Sequence, residues 1–155
     1  MDIKSGNKYP SGALSNFAPH PFVFQGVEIA SMEGFLQSLK FKGVEMQKHV
    51  CSLVGRAAKR AGAKKNWQEK QTLYWQGYPI ARGSDGYQKL LDDVYEAMFT
   101  QNEKARKALL ATQNASLTHS IGRRKINETV LTQQEFCSRL MRIRRDLQTE
   151  EFVEW

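Results

Sequence analysis

The hydrophobic and polar positions of the chain predict a mainly helical domain built around one short helix, Ser31 to Phe41. Apolar residues at Met32, Phe35, Leu36 and Leu39 fall on one broad side of it. Glu33, Gln37 and Lys40, at offsets of four and seven, stack as one polar line. Ser31 is placed to cap its N-terminus, because its hydroxyl can accept from an unpaired first-turn N–H. Before it, Phe22-Val-Phe-Gln-Gly-Val-Glu-Ile29 predicts a β-hairpin turning at Gln25-Gly26. Residues 5–21, rich in Gly, Pro, Ser and Asn, read as a loop, which Leu14 and Phe17 anchor to the core.

Further helices are predicted over 44–53, over Gly55–Gly62, over Tyr87–Thr100, from an Asn102 cap through Leu110, and from a Thr132 cap over Gln133 to about Leu147. The aromatic, turn-rich stretch Thr72–Gly86 is expected to be an excursion with one short strand. The fold class is therefore α+β: a mainly helical single domain over 1–155 with a short N-terminal β-hairpin.

Charge changes this picture. The net charge is +7, and the segment Lys40–Lys70 alone holds nine basic side chains against Glu45 and Glu69, which accounts for all of it. Such a concentration favours a phosphate-bearing partner: nucleic acid, a nucleotide or a pyrophosphate. Arg56, Lys59, Arg60, Lys64 and Lys65 are the candidates for nucleic-acid or phosphate contact. A solvated basic surface is the bland alternative. No apolar run approaches the roughly 20 residues of a membrane-spanning helix. Cys51 and Cys137 are isolated in sequence and fit no metal spacing, so reduced thiols, a cytoplasmic location and no metal are expected.

One helix thus carries a carboxylate, an amide and an amine in a row. By pattern alone this is a solvated helix edge.

The set Leu14-Ser-Asn-Phe17, Pro21-Phe22, Ser31-x-Glu33, Gln37, Lys40-Phe41 resembles the NADAR (YbiA-like) family. Members carry an L-S-N-F loop followed by S-x-E-H-x-x-Q-x-x-K-F. Lys65-Asn66-Trp67, Ala108–Thr112, and Glu128–Thr132 with Phe136–Met141 are similar to later family elements, so the likeness spans nearly the whole chain. There are three departures. Gly34 stands where the family has histidine, Ile121–Thr129 stands where other branches carry a Trp-Gly-Asp-Gly-type segment, and the aromatic stretch between Trp67 and Tyr87 looks like an insertion relative to shorter members.

The resemblance implies a hydrolase of N-glycosidic bonds that needs no cofactor. Its implied substrate is ADP-ribose on guanine bases of nucleic acid, DNA in preference to RNA, with ADP-ribose as the product ligand and a repair or antitoxin-like role. It also implies Glu33 and Lys40 as catalytic residues, with Asn16, Phe17, Gln37, Trp67, Glu128 and Thr129 as substrate-binding residues. A monomer with no membrane association is expected. The alternatives are an N-glycosidase of phosphoribosylamino-pyrimidine riboflavin intermediates and a non-catalytic module binding ADP-ribose or NAD-like nucleotides. Two routes suit the residues: a Schiff base on Lys40, which requires a lysine of depressed pKa, or direct water attack on an oxocarbenium-like sugar. Glu33 serves either one.

Overall fold

The computed structural model describes the backbone of residues 1–153 and the side chains of residues 1–150. In chain order the elements are α1 (Ser11–Leu14), β1 (Phe22–Phe24), β2 (Val27–Ile29), α2 (Met32–Ser38), α3 (Val44–Cys51), α4 (Gly55–Gly62), β3 (Thr72–Trp75), β4 (Tyr78–Ala81), α5 (Asp85–Gln101), α6 (Glu103–Ala111) and α7 (Gln133–Val153). The α+β class and the N-terminal hairpin match the sequence expectation.

The first hairpin pairs Phe22 with Ile29 and Phe24 with Val27. Its turn residues Gln25 and Gly26 both take positive φ, 48° and 80°. That is the mirror-image turn whose twist suits a two-residue hairpin. Thr72–Gly86 departs from expectation: it holds two strands, β3 and β4, paired from Thr72–Ala81 to Trp75–Tyr78. Gln76-Gly77 repeats the turn, with φ of 51° and 85°. Pro79 is tolerated because this two-stranded ribbon has only edges. The loop over 5–21 contains the one-turn α1, and Leu14 in it is buried. The last helix runs to Val153, beyond the expected end near Leu147.

The two hairpins meet over α2. The Trp75 indole N–H donates to Gln25 Oε1 at 2.9 Å, and the Trp75 ring packs on Phe24 and Phe35 at centroid distances of 5.7 and 5.0 Å. Buried Gln47 of α3 ties these parts together. Its amide donates to the Ser38 and Tyr74 carbonyls at 3.0 and 2.8 Å and accepts from Gln76 N–H at 2.8 Å. The core continues through α5, α6 and α7, where Tyr87, Leu91, Val94, Tyr95, Leu109, Phe136 and Leu140 are fully or almost fully buried. Among the described residues, no helix is long and apolar enough to cross a membrane.

Candidate active site

The organising helix forms as its sequence predicts and stops at Ser38, so Lys40 and Phe41 lie just past its end. Ser31 Oγ accepts from Gly34 N–H at 3.1 Å and donates to the Leu53 carbonyl at 2.9 Å. It caps α2 and fixes α2 to the chain leaving α3. The cap is worth about 1 kcal/mol. Met32, Phe35, Leu36 and Leu39 are all buried.

The polar row is not a solvated edge. Helix α4 lies across it, with Ala58 and Gly62, one turn apart, buried against α2. At Gly62 the contact is so close that a Cβ would collide with the Gln37 amide and come within 3.2 Å of Lys40 Cδ. Gln37 is buried, while Glu33 and Lys40 are half-buried. Gln37 Nε2 donates to Glu33 Oε1 at 2.9 Å, and Gln37 Oε1 is buried with no partner. Lys40 Nζ makes a long 3.4 Å bond to the Gly62 carbonyl. Among the described residues Glu33 and Lys40 form no ion pair with each other or with any other residue.

Burial sets the protonation of both ends. It raises the Glu33 carboxyl above its ordinary value, against the opposing pull of the Gln37 bond and of Lys40, Lys59 and His119. Burial lowers the Lys40 amine, with Glu33 acting against it. A carboxyl that keeps its proton longer and an amine that loses one sooner are the two groups that imine chemistry needs. The Ser-Asn-Phe loop braces this end: Glu33 N–H donates to the Asn16 carbonyl at 2.9 Å, and Tyr95 Oη donates to Asn16 Oδ1 at 2.7 Å. Phe17 is half-buried, its ring edge 4.0 Å from where a Cβ on Gly55 would sit.

Lys40 opens onto a cleft of about 280 Å³ lined by Lys64, Lys65, Asn66, Trp67, Lys70, Thr72 and Tyr74. Lys65 Nζ also stands over the Phe41 ring, 5.0 Å from its centroid. Arg56, Lys59 and Arg60 are exposed on α4, and Lys64 and Lys65 are exposed beyond its end. A second, larger cavity of about 340 Å³ is lined by Leu117, Thr118, His119, Arg124, Gln133, Gln134 and Cys137. Lys40 does not line it. We place the candidate chemistry at the smaller cleft, because the perturbed amine opens there. Among the described residues no cluster of His, Cys, Asp or Glu could hold a metal ion.

Trp67 lines the cleft from within the core and is only 5% exposed. Among the described residues, Glu128 and Thr129 make no hydrogen bond to the polar row. Glu128 is exposed and faces Arg123 at 3.9 Å, while the Thr129 carbonyl accepts from Arg82 at 2.8 Å. Sequence reasoning missed Thr72 and Tyr74 on the cleft wall, Tyr95 behind Asn16, and His119. It counted Lys70 in the basic segment without assigning it a site. Only the charge run signalled any of these.

The sequence model of the family described as bacteriophage protein GP30.3 matches residues 8–145. The chain is 40% identical over 150 residues to an uncharacterized 17.1 kDa protein of the Gp30–rIII intergenic region of enterobacteria phage T4, which covers 95% of this chain and 98% of that one. Its fold is similar to the NMR structure of the E. coli protein YbiA, with a TM-score of 0.65 at 19% identity, over 98% of this chain and 86% of that one.

Proposed function

From the chain's membership of the bacteriophage protein GP30.3 family, a NADAR-type family, and from the fold it shares with E. coli YbiA, we propose that this protein is an N-glycosidase that removes ADP-ribose from guanine bases of nucleic acid. The observation that carries the reading is the row Glu33, Gln37, Lys40 under α4, with its amine opening onto a lysine-lined cleft. DNA is the proposed carrier, in a repair or antitoxin-like role.

The chemistry follows from the substrate bond. A ribose joined to an exocyclic amine is a glycosylamine, whose ring-opened form is an imine at C1. Neutral Lys40 Nζ adds to C1 and forms an aminal. A proton passes from the Glu33 carboxyl to the guanine amino nitrogen. The C1–N bond then breaks, its electron pair leaving with guanine, and an imine between C1 and Lys40 remains. Water adds to that carbon, and collapse frees the lysine and releases ADP-ribose. Gln37 orients the Glu33 carboxyl through its amide N–H, while its Oε1 is closed off beneath α4. The exposed cations Arg56, Lys59 and Arg60 suit the nucleic-acid backbone.

The size of the cleft favours a second reading. About 280 Å³ is room for one phosphorylated sugar, which fits a phosphoribosylamino-pyrimidine as well. The two separate by assay. The wild-type protein and the Glu33→Gln and Lys40→Ala variants are incubated with a guanine-ADP-ribosylated oligonucleotide and with the small glycosylamine, and free sugar phosphate is read by mass. The proposal expects release from the oligonucleotide by wild type alone, falling steeply with salt. Release from the small substrate only selects the second reading. Release from neither removes the enzyme and leaves a binding module.

A further inference from the structure

We propose that the cleft beside Lys40 is a receptor for the 5-phosphate of a ribosyl ligand, with Lys64 and Lys70 as its principal phosphate ligands. The inference deepens the reading above and rests on it for the placement of sugar C1 at Lys40.

Four lysines, Lys40, Lys64, Lys65 and Lys70, line one small volume. None of them forms an ion pair among the described residues, whereas other lysines do, such as Lys89 with Asp93 at 3.3 Å and Lys107 with Glu103 at 3.0 Å. The exposed cations of Lys64, Lys65 and Lys70 face no acidic side chain among the residues lining the cleft, a charge balance that favours an anion there. The side chains also favour one kind of anion. Asn66 adds an amide to the ammonium donors, while the Thr72 hydroxyl donates to the Lys70 carbonyl at 3.1 Å. Together the ammonium and amide donors exceed what the two oxygens of a carboxylate can use and suit the several oxygens of a phosphate.

Two of the four lysines are already engaged. Lys65 lies over Phe41, and Lys40 reaches the Gly62 carbonyl. Lys64 and Lys70, both exposed and free of such contacts, are left to hold the anion. Half-buried Tyr74 supplies an apolar face on which a sugar can lie. In ribose 5-phosphate the phosphate and C1 hang from the same ring. Holding the phosphate at Lys64 and Lys70 therefore leaves C1 within the same cleft as the Lys40 amine. The unit recognised is common to both proposed substrates: the phosphate belongs to a pyrophosphate in ADP-ribose and is a monoester in the small glycosylamine.

The test is calorimetric titration of the full chain with ribose 5-phosphate, ADP-ribose and unphosphorylated ribose. It is repeated on Lys64→Gln and Lys70→Gln, with Lys104→Gln on α6 as the surface control and Lys70→Arg as the charge-keeping variant. The expected result is binding of the phosphorylated sugars and not of ribose. Each glutamine variant weakens it about ten-fold, and Lys104→Gln and Lys70→Arg stay within about two-fold of wild type. Tighter binding of ADP-ribose identifies the pyrophosphate as the source, and tighter binding of ribose 5-phosphate identifies the monoester.

Equal binding of phosphorylated and plain sugar overturns the proposal, as does binding indifferent to Lys64 and Lys70 in variants that keep the wild-type melting temperature. Its failure is distinct from failure of the enzyme reading. Phosphate-dependent binding with no turnover of any N-glycoside removes the latter alone, and turnover with binding indifferent to both lysines removes the former alone.

Discussion

Gln37 donates to Glu33 one turn earlier on α2, while its own carbonyl oxygen is sealed under Gly62 of α4 without a partner. The pair therefore has one satisfied and one open hydrogen-bonding position, both held by the approach of α4. Gly62→Ala is expected to push the Gln37 amide and the Lys40 stem aside. Turnover should fall about ten-fold or more, since small displacements of positioning groups are costly. Gly43→Ala, where a Cβ meets nothing within 4 Å, should leave it unchanged. Steady-state kinetics of the two variants on one substrate checks this.

The NADAR resemblance expects a histidine where Gly34 stands, and the surroundings of Gly34 leave no room for a ring. A Cβ would sit 2.7 Å from the Leu53 carbonyl oxygen and 2.9 Å from that of Val50. Glycine to alanine inside a helix ordinarily gains about 0.5–1 kcal/mol, but overpacking against fixed backbone costs about 1–3 kcal/mol and wins. Gly34→Ala, and more so Gly34→His, should lower the midpoint of urea unfolding. Restoring the family residue should not raise activity.

The pH profile should reflect both shifted groups. The proposed route uses neutral Lys40 and protonated Glu33, so the rate follows the product of two fractions. It rises until the Glu33 pKa is passed, stays level, and falls beyond the Lys40 pKa. Because one is raised from 4.5 and the other lowered from 10.5, the level region is narrower than the window between those two values. In Glu33→Gln the residual rate should instead climb with pH until Lys40 is neutral. Rates measured across pH 4–10 under saturating substrate decide this.

Stability carries the same information with its sign fixed by linkage. The raised Glu33 pKa means its contribution is fully present below 4.5 and lost as pH rises through the folded value. The lowered Lys40 pKa means its contribution is present above 10.5 and lost as pH falls through the folded value. At pH 7 both residues weigh against folding, as functional groups often do. Glu33→Gln should therefore melt higher than wild type at pH 7, and the gain should shrink toward pH 4.

The opposite case is Arg82, fully buried just past the end of β4. Its Nη1 and Nη2 meet Glu135 at 3.0 and 2.6 Å, and its Nε holds the Thr129 carbonyl. Burial pushes the Glu135 carboxyl up, but the bonds from Arg82, Gln88 and Thr132 outweigh it and leave the pKa below the ordinary value. Arg82→Met should cost about 3–5 kcal/mol by stranding that carboxylate, read by urea unfolding. Acid should release the pair only as pH falls through the lowered Glu135 pKa.

These elements divide by how local their causes are. The first hairpin, the Ser31 cap, α4 and the Asn102 cap were legible because each is decided by neighbours in sequence. The second hairpin carries the same Gln-Gly turn as the first and was obscured by its tyrosines and Pro79. Burial of the polar row was not legible, since the row became a site only when Gly62, well downstream, let α4 close over it. Trp67 reads the same in sequence whether it lines a pocket or packs in the core, and tertiary packing gives it both positions at once. The lysine cleft joins Lys40 to Lys70 through β3, and Arg82 meets Glu135 across much of the chain, so neither leaves a local signature.

The central claim is that Lys40 attacks the sugar carbon. Its most direct test is borohydride trapping during turnover of a guanine-ADP-ribosylated oligonucleotide, followed by peptide mass mapping. The account predicts a reduced adduct on Lys40, accumulating with substrate and absent from Lys40→Ala. Full turnover by Lys40→Ala, or an adduct confined to another lysine, would contradict it.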